Sequence, residues 1–386
     1  MKQRKPKRLI KIFLLVLLAV SIAALGLFCA VLGFAARDKQ IAAREQETHI
    51  AALEAACQEE YIPRSEEEMT GFNPQAAASN GVRLNEIQML ATHNSYKRRP
   101  NAMARAIMRY ILIPLRFAWG DEWGYSFDTL TRQLGNGIRS FELDVMREKE
   151  GFRCAHIPLI DYASNSPDFG LALKEIDLWS QHNPGHLPIT ILVEPKTTVL
   201  SGGMLFRPFK LGDVLLLEEM AARQFGERLY TPADMLSDYE SFVQLRADNA
   251  YPLLSALLGK IIVIYHYDEN NTADYAALDP SMRTRRMFPS VQRSYSKEAS
   301  AELAYTCFII INGRRNGDAM EKYTAQNMLI RTVTDSYPWH DDEWRDEAFA
   351  TGAFLQSTDY PPRDDLREDP YAVAFDNGAT VRLREP

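Results

Sequence analysis

Leu90–Tyr96 reads LATHNSY. The apolar run Ile87-Gln88-Met89-Leu90-Ala91 has the texture of a strand, and it delivers Thr92, His93 and Asn94 to the point where a strand meets a loop. A strand that ends in His-Asn is unusual, and the rest of the chain says what fold would put those residues there. Further predicted strands are Ile138–Val145, Phe152–Ile157, Pro188–Val193, Lys260–Tyr267, Tyr305–Ile311, Met328–Val333 and Ala353–Ser357, beside Ile87–Thr92 itself. Most are β-branched or aromatic apolar runs, as expected of strands buried on both faces. Helical stretches lie between several of them. DFGLALKEIDLWSQHN carries Leu171, Ile176 and Trp179 near one face, GDVLLLEEMAARQFG has a similar stripe and stops at Gly226, and DEWRDEAFATG also ends at a glycine. Strands alternating with helices in this number predict an α/β fold, a TIM-type (β/α)8 barrel, over residues 84–386. In such barrels chemistry gathers at the carboxyl ends of the strands, which is where His93 and Asn94 fall.

Composition agrees with a folded domain: of 386 residues, 46% are hydrophobic and 25% charged. The net charge of −7 hides an asymmetry, because residues 1–11 carry Lys2, Arg4, Lys5, Lys7, Arg8 and Lys11 and no acid. The remainder is therefore more acidic than the whole and a poor partner for nucleic acid. Residues 12–36, IFLLVLLAVSIAALGLFCAVLGFAA, hold no charge and are long enough to cross a bilayer as a helix. The basic residues before them place a short tail, 1–11, in the cytoplasm and the rest of the chain on the exported side. The alternative is a cleaved signal peptide, against which stand the length of the run and the poor cleavage site at GFAA. From Arg37 to about Glu60 an Ala-, Glu- and Gln-rich helix continues as a stalk, ended by Pro63 and SEEEMTGFNP, with a linker to residue 83. Cys29 falls in the anchor; Cys57, Cys154 and Cys307 match no zinc spacing and read as free thiols.

The polar residues at the strand ends form a set. GIRSFELDV places Glu142 and Asp144 two residues apart, so both carboxylates share a face. Two such anions need a cation or raised pKa values. FRCAHI brings His156 into an apolar run, and ITILVEPK ends with Glu194 and Lys196. Singly, each has a bland alternative: Asn94 as a turn cap, His156 as a core histidine, Glu142 and Asp144 paired with Arg139 or Arg147. Placed together at successive strand ends they point to chemistry. Asn94, Glu142, Asp144 and Glu194 offer only oxygen, which suits calcium or magnesium rather than zinc or copper. The two histidines are then free for proton transfer, and the cation with Lys196 can neutralise a phosphoryl oxygen. That combination cleaves phosphodiesters.

THNSY, GIRSFELDV, the histidine of RCAHI and ITILVEPK resemble segments of the phosphatidylinositol-specific phospholipase C superfamily, most closely its bacterial calcium-dependent branch. QLGNGIRSFELDV and WSQHNPGHLPITILVEPK carry the likeness furthest, and IRTVTDS and LQSTDYP are similar to the last two barrel strands of that family. The resemblance implies a TIM-type barrel in which the inositol 2-hydroxyl attacks phosphorus, diacylglycerol leaves and a cyclic inositol phosphate forms. It implies His93 and His156 as the catalytic pair, with His156 the general acid, and Asn94, Glu142, Asp144 and Glu194 as calcium ligands. Asp144 points to the calcium-using kind, since metal-independent relatives carry an arginine at that place. The residues that grip the inositol ring are not carried by any motif. By position, Lys196, Asp268, Arg314, Asp359 and Tyr360 are the candidates for substrate binding.

The partners this predicts are a phospholipid substrate and a membrane surface. Asn101–Trp119, NAMARAIMRYILIPLRFAW, mixes Arg105, Arg109 and Arg116 with bulky apolar residues and suits either a membrane interface or a helix packed on the barrel. Two other functions fit parts of the pattern. A glycerophosphodiester phosphodiesterase also carries Glu and Lys on a strand, but that group opens with His-Arg. A non-catalytic barrel that binds a phosphorylated lipid or sugar would be free to lose a histidine or a ligand, and this chain keeps all of them.

Overall fold

Among the described residues, ten strands form one sheet: β1 (Ile87–Thr92), β2 (Ser140–Arg147), β3 (Phe152–Cys154), β4 (Ile189–Pro195), β5 (Ile261–Tyr265), β6 (Phe288–Gln292), β7 (Phe308–Ile310), β8 (Leu329–Val333), β9 (Leu355–Thr358) and β10 (Val381–Leu383). The structure, a computed structural model, describes residues 5–57, 64–114, 123–157, 161–196, 208–292, 304–314, 316–363, 366 and 369–385. Eight of the strands, β1, β2 and β4 to β9, pair in parallel, and β1 pairs with both β2 and β9, which closes the barrel. The strands are buried along nearly their whole length, as apolar runs facing a core on one side and helices on the other must be.

The barrel is the one expected, but its strands are not quite those expected. Phe152–Ile157 contributes β3, which runs antiparallel to β2, with Val145 opposite Cys154, and stands outside the barrel wall. The missing barrel strand is β6, FPSVQ, which pairs with β5 at Tyr265 and Pro289 and with β7. Pro289 hid it, since a proline inside a short apolar run argues against a central strand. Here the ladder between β5 and β6 is only two residues long, so the lost donor matters little.

The other elements brace the barrel from outside. β10 caps the amino end of β1 in antiparallel fashion. Within the segment read as stalk and linker, Met69, Phe72 and Ala77 join the main core, and Glu66 holds the buried Arg139 through contacts of 2.6 and 2.8 Å. Gly137, which opens GIRSFELDV, has φ +96°, and a Cβ there would meet the Met69 carbonyl at 2.3 Å, so only glycine fits. The N-terminal helix runs unbroken from Lys5 to Ala56, through both of the segments read as anchor and stalk. Its apolar part is unburied, with a mean hydropathy of 2.9, and is long enough to cross a membrane. Ala35, Ala42, Gln46 and Ile50 are buried on it, and it contacts the helices Ala102–Ile107 and Phe169–His182. The expected end of the stalk near Glu60 and Pro63, and residues 115–119 of the amphipathic segment, lie outside the described residues. Cys57, Cys154 and Cys307 are free thiols, as read.

Candidate functional site

β1 ends at Thr92, and the chain turns at once. Asn94 takes φ +53°, a left-handed conformation that Asn tolerates better than most residues. The turn is pinned on both sides: the His93 amide donates to the Thr358 carbonyl at 3.1 Å and the Ser95 amide to the Glu142 carbonyl at 2.9 Å. His93 is thereby set between β9 and β2. Its Nδ1 lies 3.0 Å from Asp359 Oδ1, while Nε2 is 3.3 Å from Asn94 Nδ2. Burial opposes a charge on this imidazole, but Asp359 and Glu142 outweigh it and hold the pKa up, at about 9.

Glu142 and Asp144 lie on one face of β2, as period-two geometry requires, and both are buried. Asp144 sits opposite Glu194 in the ladder with β4. One oxygen from each of Glu142, Asp144 and Glu194 lies within 4.8 Å of the others. Asn94 is linked to the same cluster through Tyr96, whose hydroxyl donates to Asp144 Oδ2 at 2.8 Å and lies 3.3 Å from Asn94 Oδ1. The bland alternative, Glu142 and Asp144 paired with Arg139 or Arg147, does not hold: Arg139 pairs with Glu66 and Arg147 with Asp213. The cations at the cluster are Arg331 of β8, in close contact with Glu142, and Lys196, 3.0 Å from Asp144 and 2.6 Å from Glu194. Burial, together with Glu194 and Glu142, raises the Asp144 carboxyl to about 6 against the pull of Lys196. Glu194 is held below the carboxylate range because Lys196 and His266 overcome its burial.

Three carboxylates facing two cations leave this cluster net negative. Asp144 Oδ1 is buried with no hydrogen-bond partner. An all-oxygen donor set with an orphaned carboxylate oxygen and residual negative charge fits a hard divalent cation.

His156 reaches the site by a different route from the one expected. The β2–β3 hairpin carries the chain out past the barrel mouth and back, and the Ala155 amide donates to the Asp144 carbonyl at 3.2 Å. His156 follows directly. Its Nδ1 lies 3.0 Å from Asp161 Oδ2, and Asp161 also holds the buried Lys97 in a close ion pair. Each histidine therefore has its own carboxylate on Nδ1, and each side chain stays part-exposed, at 30% for His93 and 26% for His156. Such a partner fixes the ring and leaves Nε2 for proton transfer.

The position-based candidates separate. Lys196 stands inside the carboxylate cluster. Asp359 is at the site but engaged, with Oδ1 on His93 and Oδ2 accepting from the Tyr337 amide at 2.8 Å. Tyr360 is buried in a stack of rings with Tyr337, His340 and Tyr371. Asp359 and Tyr360 help to line a cavity of about 330 Å³ with Arg99, Tyr125, Tyr337 and Asp369. Asp268 instead braces its own turn through Tyr265, Asn270 and Thr272. Arg314 pairs with Asp341 and Glu343 at the surface. Sequence reasoning missed Asp161, Arg331 and Asp335; the last receives the Asp359 amide at 2.7 Å. Arg331 was visible as a lone charge inside the apolar strand LIRTV. Asp161 had no such signal, because no periodicity links it to His156.

Residues 82–155 and 146–385 match a family model described as phosphoinositide phospholipase C, Ca2+-dependent. No curated protein matches this chain. Among solved structures, a calcium-dependent phosphoinositol-specific phospholipase C from a Gram-negative bacterium, Pseudomonas sp., apo form in crystal form 2, is 19% identical. It covers 80% of this chain and 96% of its own, with a TM-score of 0.53. The myoinositol complex of that enzyme is 18% identical, covering 81% of this chain and 98% of its own with a TM-score of 0.54. At these identities the likeness is one of fold.

Proposed function

The chain belongs to the Ca2+-dependent phosphoinositide phospholipase C family, and is a phosphodiesterase of that type; from this premise we propose that it is a membrane-anchored enzyme that cleaves phosphatidylinositol or a related phospholipid to diacylglycerol and a cyclic inositol phosphate. The observation that carries the reading is the net-negative oxygen cluster of Glu142, Asp144 and Glu194, flanked by two histidines that each hold a carboxylate on Nδ1. Asn94, Glu142, Asp144 and Glu194 would hold calcium, which when bound supplies positive charge to a phosphoryl oxygen and to the attacking hydroxyl.

The chain's own groups divide the rest. His156, steadied by Asp161, gives the Nε2 proton to the diacylglycerol oxygen as its bond to phosphorus breaks. His93, steadied by Asp359, serves the other side: the inositol 2-hydroxyl forms the new bond to phosphorus and its proton is taken up there. The neutral form of His93 takes that proton on Nε2, and the imidazolium so formed, which Asp359 and Glu142 stabilise, donates to the phosphoryl oxygen. Lys196 adds charge to the same phosphate. Asp359 and Tyr360 face the headgroup cavity, while Asp268 and Arg314, occupied by neighbours, contribute only by rearranging.

In this reading residues 1–11 are a cytoplasmic tail, 12–36 a single membrane span, 37–83 a stalk and its connection, and 84–386 an exported catalytic barrel. The long unburied apolar helix supports the span, and the basic residues before it support the orientation. The deciding experiment is turnover of phosphatidylinositol against glycerophosphodiesters, each with calcium or with chelator. Cleavage of the inositol lipid only with calcium is expected. Full turnover in chelator after metal removal, or preference for the glycerophosphodiester, would overturn the assignment.

A further inference from the structure

The N-terminal helix does not hang free of the barrel. Asp38 Oδ2 accepts from Asn101 Nδ2 at 2.5 Å, and Lys39 pairs with Glu148 at 2.7 Å. Both partners follow the carboxyl ends of barrel strands, β1 and β2, so this contact lies at the rim of the mouth that holds the histidines. Farther along, Gln46 makes a two-way bond to the Asp168 backbone, at 3.0 and 2.8 Å. His49 then meets Glu175 at 3.1 Å, and Cys57 meets His182 at 3.2 Å. As the N-terminal helix advances from residue 38 to residue 57, its partners pass from the rim down the helix Phe169–His182 to the opposite end of the barrel. The two helices therefore run parallel, and the apolar segment leaves the barrel at the catalytic rim.

The distances are short. Ala36, the last residue of the uncharged run, is two residues before Asp38, or about 3 Å along a helix. The run from 12 to 36 covers about 37 Å at the same rise, against a hydrocarbon core of roughly 30 Å. Beside the exit stands the helix Ala102–Ile107, in contact with the N-terminal helix, continued by the π-helical turn Met108–Leu112. This turn presents Tyr110, 71% exposed, and Ile111 to solvent, with the Arg109 guanidinium 5.8 Å from the Tyr110 ring. An aromatic ring, an aliphatic side chain and an arginine on one exposed corner match the headgroup layer of a bilayer.

Building on the anchoring proposed above, we infer that the docked stalk is a strut that holds the catalytic mouth against the same bilayer in which the chain is anchored, with the Arg109–Ile111 corner as a second contact to that bilayer. The partner of this surface is the phospholipid headgroup layer of the chain's own membrane. The substrate is then drawn from that membrane, because a docked strut gives the mouth no reach toward another.

Fluorophores placed at the two ends of the barrel test this. The full chain with Cys29→Ala and Cys57→Ser leaves only the buried thiols Cys154 and Cys307, which do not label readily. To it is added either Tyr110→Cys or Gln75→Cys. Gln75 is exposed on the helix Pro74–Ser79, which packs beside the helix preceding β5, at the far end of the barrel. The length of the helix Phe169–His182, about 20 Å, separates the two positions along the barrel axis. Both proteins go into phosphatidylcholine–phosphatidylglycerol vesicles containing a lipid with a headgroup quencher. The label at 110 should lose its emission and the label at 75 should keep it. Equal loss at both, or loss at neither, from a chain that sediments with the vesicles, would overturn the inference while leaving the anchoring intact. A chain that stays in the supernatant would instead refute the anchoring, and the inference with it.

Discussion

At the scale of single residues, the site is a set of charges that need one another. The His93 and His156 roles differ in what their loss should do. General acid–base groups contribute typically ~10²–10⁴-fold to rate. His156→Ala should lose that much on a lipid, whose alkoxide leaving group needs a proton, and recover most of it on an inositol phosphodiester with a nitrophenol leaving group. His93→Ala should not recover if, as proposed, its work lies with the nucleophile and the phosphoryl oxygen. Equal recovery of both would refute the division. Arg331 makes a second case. It is buried, holds Glu142 and also meets Asn312 at 2.5 Å and Ser357 at 3.0 Å. Breaking a buried pair from one side costs about 3–5 kcal/mol. Arg331→Met should therefore lower the melting temperature sharply in chelator. Calcium should restore more stability to this variant than to the parent, because Glu142 then regains a cation. An equal calcium shift in both would argue that Arg331 does not share that charge.

The elements explain how residues distant in sequence come to face each other. β1 and β2 project their ends by ladder register, which sequence spacing captures. The β2–β3 hairpin returns His156 to the level of Asp144, which spacing does not capture, because a strand that folds back looks like a strand that goes on. The link between the helix Phe169–His182 and β4 offers a test of a different kind. His186 is buried there, with Nε2 2.8 Å from Ser180 Oγ, and burial, with Arg139 adding, depresses its pKa to about 4. Its ordinary value is 6.5. The unfolded chain thus binds the proton more readily between these values, and stability falls as pH drops from 6.5 toward 4. The shift corresponds to roughly 3 kcal/mol. His186→Asn should remove that share of the acid loss, measured as urea midpoints in detergent at pH 7 and pH 4.5. Parallel losses in both proteins would show that His186 does not contribute.

At the scale of the molecule, one helix carries the long apolar segment and lies along the barrel. Protease added to spheroplasts should reach the barrel, whether periplasmic or extracellular, but not the N-terminal tail, and the barrel should stay with the membrane fraction. A soluble chain beginning near Arg37 would establish cleavage instead. The fold class and the shared face of Glu142 and Asp144 were legible in the residues alone, because burial on two faces and the period of a strand are local properties. The sheet order in detail was not: Pro289 masked β6, and β3 was counted as barrel wall. Nor was the pairing of charges, for Asp161, Arg331 and Asp359 lie 5, 189 and 266 positions from the groups they serve. Contacts of that kind follow from barrel closure, which makes neighbours of β1 and β9 and aims β8 at β2 across the interior. No periodicity along the chain encodes them, so only the closed structure could decide which cation neutralises which carboxylate.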